Sequence, residues 1–331
     1  MNAGGVGRYR DELVNGLVGT ALEHEFLVVR RESDSRFGWD ACFAPWGLRR
    51  VRREALRSRA DLLHGLHLEV PQLATVPLVV TIPDLIPLDF PSSMPNFLYR
   101  SWFHRLVTSS VQRAARVIVP SAVTASSLIR RGTSASKIKI IPLGVGSPLN
   151  PIEKPERLRA QTSFGSGGPY VAAVAESRPH KNRAGLFAVA AQLPDVTFSC
   201  RGEPSADAPE NINFVPYLSE SDLALFYGGA EVLLMMSLME GFGLPALEAA
   251  ACGTPVLCGS EVGGAPYLGA GRLAIDPHDP WGTARRLRAF LRDEDLKKET
   301  SRAAEAAASR LTRGAMAANT LALYMEVLSE A

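Results

Sequence analysis

Short apolar runs rich in Val, Ile and Leu alternate with stretches of helical periodicity along nearly the whole chain. Strands buried on both faces read as continuous apolar runs, so this alternation predicts parallel sheets covered by helices on both sides. In the first half the candidate strands are EFLVV (25–29), DLLHG (61–65), PLVVTI (77–82), RVIVP (116–120) and KIKIIPLG (137–144). In the second half they are YVAAVA (170–175), VTFSC (196–200), NINFV (211–215), EVLLMM (231–236), TPVLC (254–258) and RLAI (272–275). Between the two series lies GSPLNPIEKPERL (146–158), whose three prolines and mixed charge mark a linker. The pattern therefore predicts two α/β, Rossmann-like domains, residues 1–148 and 149–331, facing across a cleft with ligands at the carboxyl ends of the strands. A final apolar-periodic stretch predicts a terminal helix over about 314–329 that can cross back to the first domain.

Helix starts agree with this register. Ser219 with Asp222 three residues later has the capping-box pattern, and Asp279 followed by Pro280 opens another helix. A chain of 331 residues with 46% hydrophobic and 21% charged residues is ordinary for two globular domains and excludes disordered and fibrous classes. The net charge of +2 gives no whole-molecule argument for nucleic acid, so no nucleic-acid partner is expected. The local run LRRVRREALRSR (48–59) reads as a solvated helix face; if it binds anything, anionic lipid headgroups suit it. Cys42, Cys200, Cys252 and Cys258 lack metal-ligand spacing and read as reduced core residues of a cytoplasmic protein. No apolar run approaches the roughly 18 residues needed to cross a bilayer, so any contact with the inner membrane is expected to be peripheral.

Five stretches carry candidate chemistry. MEGFGLPALEAAACGTPVLCG (239–259) sets Glu240 and Glu248 eight residues apart around a glycine-rich break. Pro245 is tolerated in a first helical turn, so the stretch reads as strand, loop, then helix from about Leu244. Glu240 then sits in the loop and Glu248 on the opening turn, both aimed at whatever lies over the helix N-terminus. The opening GGVGRYRDELVNGL is a glycine turn running into a helix, which suits either phosphate binding or packing alone. VAAVAESRPHKNRAGLFAVA puts Glu176, Arg178, His180 and Lys181 directly after a strand, where basic groups can neutralise a departing diphosphate. His64 and His67 also follow a strand, as site groups or as satisfied structural residues. The only Asp-x-Asp, Asp293 to Asp295, reads as the solvent-facing end of a charged helix and not as a metal site.

With these stretches in order, the chain resembles the retaining glycosyltransferases of family 4, which have the two-domain GT-B architecture. The likeness rests on GGVGRY, DLLHG, RAARVIVPSAVTASSLI, KIKIIPLGV, PHKN, YLSESDLALFY, the Glu-x7-Glu loop and IDPHDP, all in the family's order. It implies transfer of a sugar from a nucleotide-diphosphate donor to an acceptor hydroxyl with retention, in bacterial polysaccharide or glycoconjugate synthesis. The acceptor would be a glycan, a lipid-linked group or a small molecule. By the same resemblance Glu240 faces the donor sugar, with the amides of Gly241, Phe242, Gly243 and Leu244 beside it, and Glu248 accepts from the ribose. Lys181 and Arg178 meet the diphosphate, Gly5 and Gly7 approach it from the first domain, and His64 and Asp84 complete the catalytic side. No metal and no cofactor beyond the nucleotide sugar is implied.

Three departures stand out. Where the family usually has His before the Asp, this chain has Pro83 before Asp84; where it often has a phosphate-binding Arg, Glu176 stands; and Tyr267 stands where many members carry an acid. Pro83 and Glu176 also suit a second reading, a catalytically weak relative that binds nucleotide or glycan as a partner subunit. A nicotinamide-dependent dehydrogenase would need a complete Gly-x-Gly-x-x-Gly turn after a strand, which GGVGRY lacks. Family members begin with a strand before the glycine turn, and only Met1 to Ala3 precede Gly4 here, so the first N-terminal strand is expected to be missing by truncation.

Overall fold

The computed structural model of the chain describes residues 5–20, 24–26, 53–68, 76–146, 149–269 and 273–331. It divides into two compact units, one formed by Met1–Gly144 with Arg313–Ala331 and the other by Val145–Thr312. Most of the strand expected at 25–29, Cys42, the start of the Arg-rich run and the question of a strand before the glycine turn fall outside the described residues.

The first unit carries a four-stranded parallel sheet in the order β1 (Leu63–Gly65), β2 (Leu78–Thr81), β3 (Arg116–Val119), β4 (Ile138–Ile140). Helices α1 (Gly5–Thr20), α2 (Phe97–Arg113) and α3 (Ala122–Arg130) and the C-terminal helix (Arg313–Ser329) cover it. The period-2 geometry of a strand sends alternate side chains to opposite faces. Val80, Val117 and Val119 pack with Phe103, Val107 and Leu128 of α2 and α3. Val79 and Ile118 pack with Tyr9, Leu13 and Leu17 of α1 and with Met316, Ala317 and Leu323 of the C-terminal helix. The two helices of that second layer touch closely: a Cβ on Gly16 would lie 2.8 Å from both Ala317 Cβ and the Arg313 carbonyl oxygen.

A polar chain runs through this layer. His64 of β1 uses Nδ1 with the Tyr324 hydroxyl at 2.5 Å and Nε2 with Thr81 Oγ1 at 2.8 Å, and Tyr9 shares the same Thr81 hydroxyl at 2.9 Å. Burial disfavours the imidazolium and brings the His64 pKa down to about 3.

The second unit has a five-stranded parallel sheet. In chain order its elements are α4 (Lys154–Phe164), β5 (Tyr170–Ala175), α5 (Arg183–Ala191), β6 (Thr197–Gly202), β7 (Ile212–Val215), α6 (Glu220–Gly228), β8 (Val232–Met235), α7 (Leu244–Ala251), β9 (Val256–Cys258), α8 (Pro280–Arg292) and α9 (Glu294–Ala308). The strand order β7-β6-β5-β8-β9 means that the chain winds outward from β5 through β7, then returns to the other side of β5 and winds outward again. The switch point of the topology therefore lies between the carboxyl ends of β5 and β8.

Local signals set several boundaries. Ser219 and Asp279 cap α6 and α8, their side chains accepting from Asp222 N and Gly282 N. Three expectations are corrected. Lys154–Leu158 of the supposed linker form the start of α4, because Pro155 sits in a first turn where its missing N–H costs nothing. RLAI forms no strand among the described residues: Ile275 N makes one bond to the Cys258 carbonyl, and the chain turns away at Pro277. Asp293 lies between two helices, ending α8 and capping α9 by accepting from Leu296 N, so the acidic triplet is a junction.

The His64 network predicts a specific pH dependence. Unfolded, the imidazole takes a proton near 6.5; folded, it does so only at about 3. The unfolded state binds the extra proton between those values, so stability falls as pH drops from about 6.5 toward 3. His64→Asn should flatten the slope of urea midpoint against pH over that window. Tyr324→Phe, which strands a buried ring nitrogen, should cost roughly 1–3 kcal/mol at pH 7. An unchanged slope in His64→Asn would overturn the assignment.

Candidate active site

The loops after β5 and β8 flank the switch point, and each contributes one member of a buried ion pair, Lys181 and Glu240. After β5 the chain makes a single 3-10 turn, Pro179–Lys181, and enters α5 through Asn182 at φ 52, whose side chain accepts from Gly185 N. After β8 it passes Ser237 to Gly243 and enters α7 at Leu244, where the sequence places the start. Gly243 holds φ at 92, a region that disfavours any Cβ, and a Cβ there would also lie 2.8 Å from Val262 Cγ1. The two loops are stitched together by Leu238 N donating to the His180 carbonyl at 2.8 Å.

Lys181 Nζ lies 2.7 Å from Glu240 Oε1, with side chains only 8% and 10% exposed. Glu240's backbone is pinned as well, donating to the Glu261 carbonyl at 3.0 Å and accepting from Gly263 N at 3.1 Å. Phe242 is buried, with its ring stacked on Tyr267 at 5.9 Å. Tyr267, which stands where an acid was expected from the family pattern, thus packs the glycine loop from outside.

Glu248 is the fifth residue of α7 and so lies just past the opening turn on which it was expected, since a turn takes about 3.6 residues and the helix starts at Leu244 as read. Its buried carboxylate meets Arg201 Nη1 at 3.4 Å, and the same nitrogen donates to the Tyr227 hydroxyl at 2.8 Å. Arg201 and Tyr227 escape sequence reading; the available signal was a single charged residue directly after the VTFSC run, near the carboxyl end of β6. Burial of the Tyr227 hydroxyl raises its pKa despite Arg201 beside it.

Arg178 is tied to Glu176, its Nε donating to Oε2 at 2.9 Å. Burial works against ionising Glu176, but Lys181 and the Arg178 bond outweigh it and hold the carboxyl below its ordinary range. Burial likewise lowers the pKa of His180, the residue before Lys181.

Lys181, Arg178, Glu240, Gly241, Phe242, Gly243, Leu244 and Glu248 therefore all lie at one end of the second unit's sheet. Gly5, Gly7, His64 and Asp84 belong to the first unit. Gly5 and Gly7 form the first turn of α1 itself, so the expected glycine turn is already helix. Asp84 Oδ1 accepts from Ile86 N at 3.1 Å, heading the helical turn Ile86–Asp89 just beyond β2. His64 has both ring nitrogens engaged within the unit, with Tyr324 and Thr81. Pro83 offers a carbonyl that accepts from Thr124 at 3.4 Å. Among the described residues no group of three His, Cys, Asp or Glu side chains is placed to hold a metal ion.

Two parallel-sheet units, one presenting lysine, arginine and paired carboxylates at its switch point, define a Rossmann-like class of α/β protein. Residues 3–146 match the family described as Glycosyltransferase Family 4 and residues 203–308 match Glycosyl transferases group 1, together well over half the chain. The chain belongs to the family 4 glycosyltransferases of the group 1 type. A D-inositol 3-phosphate glycosyltransferase of Mycobacterium sp. (strain KMS) is 32% identical over 191 residues, covering 51% of this chain and 43% of that protein. The protein of the same name from Streptomyces avermitilis is 45% identical over 96 residues, covering 28% of this chain and 20% of that one. The matched region thus spans less than half the length of these curated relatives. Among solved structures, WaaG, a glycosyltransferase involved in lipopolysaccharide biosynthesis, superposes with a TM-score of 0.73 at 16% identity, over 97% of this chain and 96% of that one. Anabaena HepE, in complex with UDP and glucose, gives 0.71 at 20% identity, over 87% and 83%. Both likenesses are of fold, the GT-B fold.

The Lys181–Glu240 pair makes a sharp energetic prediction. Removing one member of a buried ion pair leaves an uncompensated charge and typically costs about 3–5 kcal/mol, whereas replacing both with apolar groups can be close to neutral. Lys181→Met or Glu240→Leu alone should destabilise the second unit by about that much, and the double variant by markedly less, in a urea-melt double-mutant cycle. Additive losses would show that the two side chains do not depend on each other.

Proposed function

We propose that the protein is a retaining hexosyltransferase that moves a sugar from a nucleotide-diphosphate donor to an acceptor hydroxyl. The observation that carries this reading is the buried Lys181–Glu240 contact between the two loops of the switch point, with Glu248 on the helix that the second loop enters. The pair is an exchangeable one. A donor brings an anionic diphosphate and sugar hydroxyls together, so it can take the lysine and the carboxylate from each other without leaving either charge unpartnered. Glu248 supplies two lone-pair oxygens to vicinal ribose hydroxyls. The N-cap of α7 is Gly243, which has no side chain to cap it, and the helix's N-terminal dipole favours the developing negative charge.

In the transfer the bond between the anomeric carbon and the diphosphate oxygen breaks through an oxocarbenium-like state. The acceptor oxygen bonds to the same face, and its proton leaves with the diphosphate. Lys181 meets the leaving-group charge, and Glu240 holds the sugar hydroxyls as positive charge develops on the ring. No metal is required in this scheme. The names of the similar proteins suggest the first probes: UDP-hexoses as donors and inositol 3-phosphate as acceptor.

A second reading keeps the fold and the binding but not the turnover. It is favoured by Pro83, which cannot supply an imidazole, and by Glu176, whose carboxylate occupies Arg178. Glu248→Ala should weaken nucleotide binding, because the ribose contact is shared by ground and transition states, whereas Glu240→Ala should mainly lower turnover. Each loss is expected at roughly 1.5–3 kcal/mol. Calorimetry and a donor-hydrolysis assay, both with EDTA, separate the readings. Metal-independent turnover supports the transferase; binding without turnover over a broad donor panel supports the partner subunit. Wild-type values in both variants would overturn the site.

Contact with a membrane, where it occurs, is proposed to be peripheral and to run through the start of α2. No helix among the described residues is long and apolar enough to cross a membrane. Phe97 and Leu98 are 76% and 78% exposed, and Tyr99 and Trp102 pair behind them with ring centroids 5.4 Å apart. The helix carries Arg100, Arg105 and Arg113 and no acidic residue. Aromatic and aliphatic tips backed by arginine suit an anionic bilayer surface. Sedimentation with vesicles containing anionic lipid should pull the protein down, and the pair Phe97→Ser and Leu98→Ser should reduce it severalfold; equal sedimentation of the variant would place the contact elsewhere.

A further inference from the structure

The donor reading leaves a deficit of positive charge. Where the family pattern often has an arginine for the diphosphate, this chain has Glu176, and Arg178 is spent on neutralising that carboxylate. The neighbouring strand supplies another cation. Arg201 of β6 is in register with Val174 of β5, and Gly202 with Ala175, so Arg201 stands one strand spacing from the point where β5 ends and Glu176 begins. One edge of its guanidinium is fixed: Nη1 is bonded to the hydroxyl of the fully buried Tyr227 and to Glu248. Among the described residues Nε and Nη2 meet no hydrogen-bond acceptor, and the side chain is 32% exposed. A planar fork anchored at one corner presents its remaining donors in a fixed direction, as a lysine on a flexible stem cannot.

Building on the donor reading above, we infer that Arg201 is the chain's substitute for the missing diphosphate arginine, displaced by one strand, and that the same guanidinium orients Glu248 for the ribose. Both roles come from a single side chain because Glu248 lies on α7, which follows β8, while Arg201 closes β6, so the contact bridges the central strand of the sheet. The pull of Tyr227 and Glu248 on the cation, set against the cost of its burial, raises the Arg201 pKa and keeps it charged. Glu176 fits the scheme as a counter-charge: Lys181 is paired with Glu240 and Arg201 with Glu248, so Glu176 balances the third cation, Arg178, and Lys181 and Arg201 act on its carboxyl as well.

The test measures binding of UDP, GDP and ADP, and of the corresponding monophosphates and nucleosides, to the whole chain by calorimetry. Arg201→Gln should weaken the preferred diphosphate about tenfold or more, while the nucleoside loses less than about threefold. Arg201→Lys should recover part of the diphosphate affinity but not the ribose contribution, read as the affinity ratio of the ribonucleotide to its 2′-deoxy form. Glu176→Arg in the Arg201→Gln background should restore diphosphate binding, which a loss of folding could not do. Equal losses for nucleoside and diphosphate would reduce Arg201 to a support for Glu248 and overturn the phosphate role. Unchanged binding in Arg201→Gln would overturn the assignment alone. Wild-type protein that binds none of the nine ligands would overturn the donor reading itself, and the assignment with it.

Discussion

The ion pair between Lys181 and Glu240 is the contact on which the second unit depends. Two charges at 2.7 Å, both nearly buried, are held where the winding of the sheet reverses. Neither could remain there alone, since desolvating a lone ammonium or carboxylate costs several kcal/mol. Everything around them keeps the pair in place. Asn182 accepts the left-handed conformation that ends the lysine's turn, and Gly243 accepts the one that ends the glutamate's loop. The Leu238 to His180 backbone bond fixes the distance between the loops, and the stack of Phe242 on Tyr267 closes the outer side. The site is thus a pair of loops pinned around two charges, with the buried parallel sheet beneath as its support.

The first unit solves a different problem with the same chemistry. Its second helical layer is built from the two ends of the chain, α1 and the C-terminal helix, which have no loop to hold them together. Close packing at Gly16, the Arg313–Glu12 ion pair and the chain Tyr9–Thr81–His64–Tyr324 do so instead. His64 in this network is a neutral imidazole that joins sheet to helix. A group held this way has a defined tautomer and orientation, so any further part it plays in chemistry is tied to the docking of the C-terminal helix.

Much of the fold was legible in the sequence. All nine strands among the described residues overlap runs read from the sequence; the inner ones, such as β2 and β8, are covered on both faces and have no solvent side to interrupt them, whereas the edge strand β4 is partly exposed. Ser219 and Asp279 marked their helix starts because a cap is a local hydrogen bond between residues three apart. Where reading failed, the deciding force was not local. RLAI has the composition of a strand, yet among the described residues it makes one ladder bond and turns away, since edge pairing depends on what lies beside β9 and not on propensity. The linker was read too long because proline signals a helix start as readily as a break.

By itself, the sequence determined the parallel α/β class, the loop-then-helix placement of Glu240 and Glu248, and the cluster of basic residues after β5, all properties of spacing within a few residues. The tertiary structure alone decided which charges meet. Lys181 and Glu240 are 59 residues apart in sequence, and Arg201 and Glu248 are 47 apart. No periodicity connects them; they meet because β5, β6 and β8 lie side by side in an order that departs from chain order. Glu176 and Arg178, by contrast, are two residues apart in one loop, and their pairing is a local one. Charge identity is a local property, whereas charge pairing across the sheet depends on strand order, and strand order is fixed only when the whole sheet has assembled.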